Sequence, residues 1–127
     1  MSVATTQGIR VSVNTRFVDE ESCPRDGQWV FAYEVKIENE SSVPARLLAR
    51  HWIIKDAFGG AKEVRGECVV GQTPLIEPGT SFSYQSWCPL PTDSGFMHGS
   101  YLMQKTEGDL FEAAVAPFAL AAPSTLN

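Results

Sequence analysis

The chain is poor in the residues that do most chemistry. Among 127 residues there are two histidines and three cysteines, and ten lysines and arginines stand against fifteen aspartates and glutamates, for a net charge of −5. No basic block exists, so the electrostatic footprint of a nucleic-acid binder is missing and nucleic acid is not expected as a partner. Cys23, Cys68 and Cys88 contain no Cys-x-x-Cys pair, which argues against a zinc ribbon or a thioredoxin-type site, and their odd number leaves at least one without a partner in the chain. Cys68, next to Val69 and Val70, reads as a small buried hydrophobe; Cys88, next to Pro89, reads as an exposed loop residue. No serine stands in Gly-x-Ser-x-Gly, and no nucleophile–base set can be nominated, so the expectation is a non-enzyme without a cofactor. No apolar run approaches the ~20 residues of a membrane span. The start, Met1 to Gln7, carries neither a basic nor an apolar leader region, so a reduced cytoplasmic protein without a membrane partner is expected.

What is present is alternation. Apolar residues make up 43% and charged residues 20%, an ordinary globular composition in a chain of single-domain length. One domain over residues 1–127 is expected, with its core over about 8–121. Ile9, Val11 and Val13 lie two apart. Trp29, Phe31, Tyr33, Val35 and Ile37 repeat that spacing, opposite Glu34, Lys36 and Glu38. Five large residues at period two cannot form a helical stripe, because 100° steps would scatter them around the axis. Between these two strands, residues 19–28 read as a polar loop.

Residues 45–55 give a third strand that is apolar on both faces, with Leu47, Ala49 and Ile53 on one and Leu48, Trp52 and Ile54 on the other. Such a strand belongs in the middle of a sheet. Residues 61–65, 80–87, 96–105 and 110–120 complete the set. The pair Pro89 and Pro91 is expected to end the fifth strand, and Pro117 to place the seventh at an edge or a bulge. Residues 66–79 read as irregular, residues 106–109 as a hairpin loop and residues 121–127 as a tail. About seven strands without a helix-period window predict an all-β, antiparallel immunoglobulin- or fibronectin type III-like sandwich.

Arg50-His51-Trp52-Ile53-Ile54, followed by Asp56 and by Gly66-Glu67-Cys68-Val69-Val70-Gly71, resembles the ApaG family of small bacterial proteins. Asn39, Pro74, Pro78-Gly79, Phe82, Tyr84, Met97, Gly99, Tyr101, Met103, Gly108, Phe111, Phe118 and Leu120 extend the likeness from about residue 9 to residue 123. The resemblance implies a fibronectin-like sandwich. It also implies links to cobalt and magnesium resistance, a glycine loop suggested to bind pyrophosphate compounds, and, in eukaryotic F-box proteins, a substrate-recognition module.

The residues qualify these implications. The family loop is Gly-x-Gly-x-x-Gly, and here Cys68 replaces the middle glycine. Pro74 and Pro78 stand where a phosphate-binding helix would start, and Glu67 would repel an anion. Gly66, Glu67, Cys68 and Gly71 are therefore candidate ligand residues whose simpler reading is a structural bulge. His51 and His98 fall on strands that lie side by side in a fibronectin-type sandwich. Directly opposed, their Cβ atoms would be about 4.5–5.5 Å apart, close enough to share a divalent cation such as cobalt; the simpler reading is two hydrogen-bonded side chains. Trp87, at a strand end, is either a lid over the core or an exposed contact residue. The expected function is a non-catalytic binding domain whose partner is another protein, with the acidic surface suiting a basic one. The alternative is binding of a pyrophosphate-containing nucleotide or a divalent cation.

Overall fold

The computed structural model describes residues 1–106 and 108–123, and alternation governs them. Nine strands form: β1 (Ser2–Thr6), β2 (Ile9–Phe17), β3 (Trp29–Asn39), β4 (Ala45–Asp56), β5 (Ala61–Glu67), β6 (Leu75–Ile76), β7 (Ser81–Leu90), β8 (Ser94–Lys105) and β9 (Leu110–Ala121). Two short 3₁₀ turns, Asp19–Glu21 and Pro24–Asp26, lie between β2 and β3, and no helix among the described residues is long and apolar enough to cross a membrane. Glu107 of the expected hairpin loop and residues 124–127 of the expected tail lie outside the described residues.

The strands make two antiparallel sheets, one in the order β1-β2-β3-β7 and the other β5-β4-β8-β9, with β6 paired to β4. This is the expected sandwich, and the core lies between the sheets. Phe31, Tyr33, Val35 and Ile37 face into it with Val11 and Val13 from β2 and Leu47, Trp52, Met97, Tyr101 and Leu120 from the second sheet. Aromatic edges lock the halves together. Tyr33 meets Trp52 at 5.5 Å between ring centroids, and Trp52 meets Tyr101 and Phe118 at 5.9 Å each. Such pairs contribute about 0.5–1.5 kcal/mol beyond the area they bury.

Four expectations are corrected. The ordered fold begins at Ser2 rather than near residue 8, because β1 pairs along β2 from Ser2↔Val13 to Thr6↔Ile9. Residues 66–79 are not wholly irregular, since β6 pairs with β4 within them. β7 runs through Pro89 to Leu90, with Val30 opposite Pro89. A proline is tolerated there because β7 is an edge strand, where one side of the backbone has no ladder to complete. Alternation along that longer β7 turns Cys88 inward, so it is buried, 3% exposed, and not a loop residue. Cys68 is half-buried, Cys23 is exposed, and all three are free thiols.

The apolar faces of β4 also differ from a simple period of two. Leu47 pairs with Met103 and Ala49 with Leu102, leaving Leu48 as a bulge. An extra residue reverses the alternation. Leu47 and Trp52, an odd and an even position, therefore share the core face. The central position of β4, between β5 and β8, is as expected. So is Pro117, which lies on the edge strand β9 where the pairing jumps from Met97↔Phe118 to Gly99↔Val115.

Candidate functional site

The two sheets do not meet equally along their lengths. On one side β9 packs against β1 and β2, and the Thr6 hydroxyl accepts a hydrogen bond from Ala114 N at 3.1 Å. On the other side, edge strands β5 and β7 stand apart, and a cleft of about 430 Å³ opens between them. That volume falls in the range of small-ligand pockets, about 300–1,000 Å³. Arg50, Trp52 and Lys62 line it from the β4–β5 side, and Tyr33, Ser86 and Cys88 from the β3–β7 side.

Arg50 reaches this position because the Leu48 bulge reverses the parity of β4. Its cross-strand partner is Gly66, and a Cβ at Gly66 would lie 2.7 Å from the guanidinium carbon. The glycine therefore leaves the space that the guanidinium fills. Arg50 Nη1 donates to the carbonyl oxygens of Cys68 at 2.6 Å and Glu67 at 3.2 Å. No carboxylate pairs with Arg50 among the described residues. Near its charge lie the hydroxyls of Tyr33, Tyr84 and Tyr101, whose pKa values burial raises, with the Arg50 charge opposing. The net result holds all three phenols above their ordinary range. The Tyr84 and Tyr101 hydroxyls hydrogen-bond to each other across the two sheets. Trp52 is only 3% exposed, and its indole N–H has no acceptor among the described residues. A buried N–H without an acceptor is uncommon and calls for an explanation. The Asp56 carboxylate, also on the cleft wall, is engaged in its own turn, accepting from Phe58 N at 2.8 Å and Gly60 N at 3.0 Å.

The glycine loop is a different kind of structure from a phosphate cradle. Cys68 lies in the left-handed region, φ +57°, and its N–H donates to the carbonyl of the bulged Leu48 at 2.8 Å. Val69 and Gln72 then exchange both backbone hydrogen bonds, at 2.8 and 2.9 Å, around Val70 and Gly71 with φ of +44° and +78°. Two successive positive φ values make this a type I′ turn. A nest for an anion presents N–H groups. Here the amides of Cys68, Val69 and Gln72 are consumed internally, while the carbonyls of Glu67, Cys68 and Thr73 accept from Arg50 and Arg46. Of the four candidate loop residues, Gly66 and Glu67 border a shallow depression on the outer face together with His51. Cys68 and Gly71 do not.

β4 and β8 are neighbours, as the resemblance implied, but the two histidines are not opposed. His51 faces Ser100 across the ladder and His98 faces Ile53. They share the outer face as a diagonal pair, a relation that separates such positions by about 7–8 Å. His51 Nε2 is 3.1 Å from Glu63 Oε1. Arg65 also donates to that oxygen, at 2.7 Å, and with His51 holds the Glu63 carboxyl below its usual range, Arg65 being the larger cause. Among the described residues no three of His, Cys, Asp and Glu gather in a way that could hold a metal ion. Trp87 is exposed, at 55%, and is not a lid over the core; it pairs with Ala32 and borders a surface depression with Glu21 and Val30.

The cleft residues escaped selection as a site from sequence. Tyr33 and Trp52 read as core, and Arg50 as part of a motif. One signal was available: a charged residue in the middle of the most apolar strand is seldom buried without a partner.

A family model of the ApaG domain matches residues 19–105. The chain is 47% identical over 127 residues to Protein ApaG of Anaeromyxobacter dehalogenans, covering all of both chains. It is 50% identical over 123 residues to Protein ApaG of Methylorubrum populi, covering 97% of this chain and 95% of that one. Among solved structures, that of a putative ApaA protein from Bordetella pertussis superposes with a TM-score of 0.89 at 50% identity, over 91% of this chain and 94% of that one. The C-terminal domain of wzt, at 11% identity and a TM-score of 0.58, shares the fold alone. With this family model and these relatives, the chain belongs to the ApaG family.

Proposed function

We propose that this domain is a non-catalytic binding module whose partner is another protein, received along the edge of β7. The carrying observation is the character of that edge. β7 is ten residues long, Ser-Phe-Ser-Tyr-Gln-Ser-Trp-Cys-Pro-Leu, without a single charge, and its second side pairs with no strand among the described residues. Proteins normally protect such edges with charge, proline or brevity. The opposite lip, β5, follows that practice with Lys62, Glu63, Arg65 and Glu67 in seven residues. β7 carries only Pro89 near its end and leaves Trp87 in solvent. An uncharged edge beside an exposed tryptophan suits a partner strand held by main-chain hydrogen bonds, with side chains giving selectivity.

A photo-crosslinking residue at Gln85, exposed on β7, tests the reading against one at Glu63 on β5. Specific adducts from Gln85 that vanish in the Ser83→Lys/Gln85→Lys variant support it. Adducts from the Glu63 position alone, or from neither, overturn it. Titration with cobalt and with a dinucleotide is the companion measurement. The glycine loop favours the alternative less, because the amides of Cys68, Val69 and Gln72 are bonded within the loop and the carbonyls of Cys68 and Thr73 accept from arginines.

A further inference from the structure

A strand added to β7 would extend the first sheet over the mouth of the cleft, and alternate side chains of that strand would enter it. The chemistry they would meet is weighted toward cations and donors. Arg50 has no carboxylate partner among the described residues, and its guanidinium is held in place by Gly66 and two loop carbonyls. Lys62 stands across from Ile54 on the same face and has no ion pair among the described residues either. The Trp52 indole N–H is buried without an acceptor among the described residues. One acid lies on the cleft wall, Asp56, which accepts from its own turn through Oδ1, so two cations stand against one carboxylate in the lining. Around these donors the lining is apolar, with Ile54, Val64, Leu90 and Met97. A protein of net charge −5 thus carries a locally cationic, donor-rich cleft. The planar fork of an arginine matches a carboxylate in geometry as well as charge.

We propose that the cleft binds a carboxylate on an apolar stem, with Arg50 as its charge anchor and the Trp52 N–H and Lys62 as further donors, and that the partner strand on β7 supplies it as an aspartate or glutamate side chain flanked by apolar residues. This rests on the protein-binding reading for its source. The carboxylate chemistry itself does not, since a free organic acid would meet the same donors.

The test uses the full chain, a capped pentapeptide with a central glutamate between valines, its glutamine counterpart, and free glutarate. The readout is the Trp52 indole resonance in a ¹H–¹⁵N spectrum, assigned with Trp52→Phe. The glutamate peptide is expected to shift this resonance saturably and to bind at least tenfold more tightly than the glutamine peptide, a difference of about 1.4 kcal/mol. Arg50→Gln should abolish the shift. Because Arg50 also braces the loop, exposed Lys62→Gln is the second variant, expected to weaken binding several-fold with unchanged thermal stability. Equal binding of the two peptides, or no movement of the Trp52 resonance, overturns the carboxylate site. Glutarate binding as tightly as the peptide overturns the partner-strand source. Crosslinking through Gln85 without a glutamate preference leaves the protein-binding reading standing and removes only this inference.

Discussion

The two long sides of the sandwich solve opposite problems. Where β9 meets β1 and β2, small and aliphatic side chains such as Val11, Val13, Ala113 and Leu120 are all at 0% exposure, and threonine hydroxyls reach across from Thr6 and Thr15 to the backbone of β9. Where β5 faces β7, the interior is aromatic and polar, with Tyr33, Trp52, Tyr84, Tyr101 and Arg50. Aliphatic side chains interdigitate and let sheets close to about 10 Å. A guanidinium and buried hydroxyls cannot close without partners, because desolvating them costs more than the packing returns. The closed side is built for stability, and the open side keeps donors that the fold itself does not use.

The comparison can be tested from its largest consequence down. Leu120→Ala, on the closed side, is expected to lower unfolding free energy by about 2–5 kcal/mol in urea, whereas half-buried Val64→Ala, at the cleft, should cost about 1 kcal/mol. Equal losses would erase the distinction between the sides. Alkaline pH should act on the open side as well. Burial raises the Cys88 thiol from 9.0 to about 11. The folded-state value lies above the unfolded one, so the stabilisation is fully present below about pH 9 and is lost as pH rises toward 11. Cys88→Ala should remove part of the fall in the urea midpoint over that window, and Cys23→Ala, at an exposed site, should leave it intact.

The turn at the end of the cleft offers a gain. A β-branched residue at positive φ is strained, and Val70→Asn would create the Asn-Gly pair preferred in type I′ turns. Calorimetry should show stabilisation of about 1 kcal/mol, an order-of-magnitude figure for a residue relieved of a left-handed conformation. The smallest stability effect belongs to Trp87→Ser, within about 0.5 kcal/mol as for other surface changes. The same variant should lose most crosslinking through Gln85, so that stability and binding separate at one residue.

Much of the fold was legible from the chain. The row from Phe31 to Ile37 announces β3, and the two-faced apolarity of residues 45–55 announces a central strand. Pro117 marks its edge and its bulge correctly. Pro89 was misread because a proline signals the end of pairing only where both sides of the strand are used, and the sequence does not say that β7 has a free side. β1 was missed since Ser2 to Thr6 contains only Val3 and Ala4 as apolar residues; it is a strand because β2 offers it an edge and β9 a surface. Val30 and Ala32, on the outer face of β3, are buried because residues 18–22 fold over them, pinned by Ser22, whose hydroxyl accepts from Val30 N at 2.8 Å.

By itself, then, the sequence determined the all-β class, the core row of β3 and membership of the family, since these follow from alternation, turn residues and motif spacing, which are local. The site was decided by tertiary structure. Arg50 is a core-facing residue only because one bulge at Leu48 reverses the parity of β4, and it has room only because Gly66 lies opposite. The separation of His51 and His98 follows from a register that no local signal specifies. A shift of one residue changes which side chains meet, and that choice is made by the packing of whole sheets.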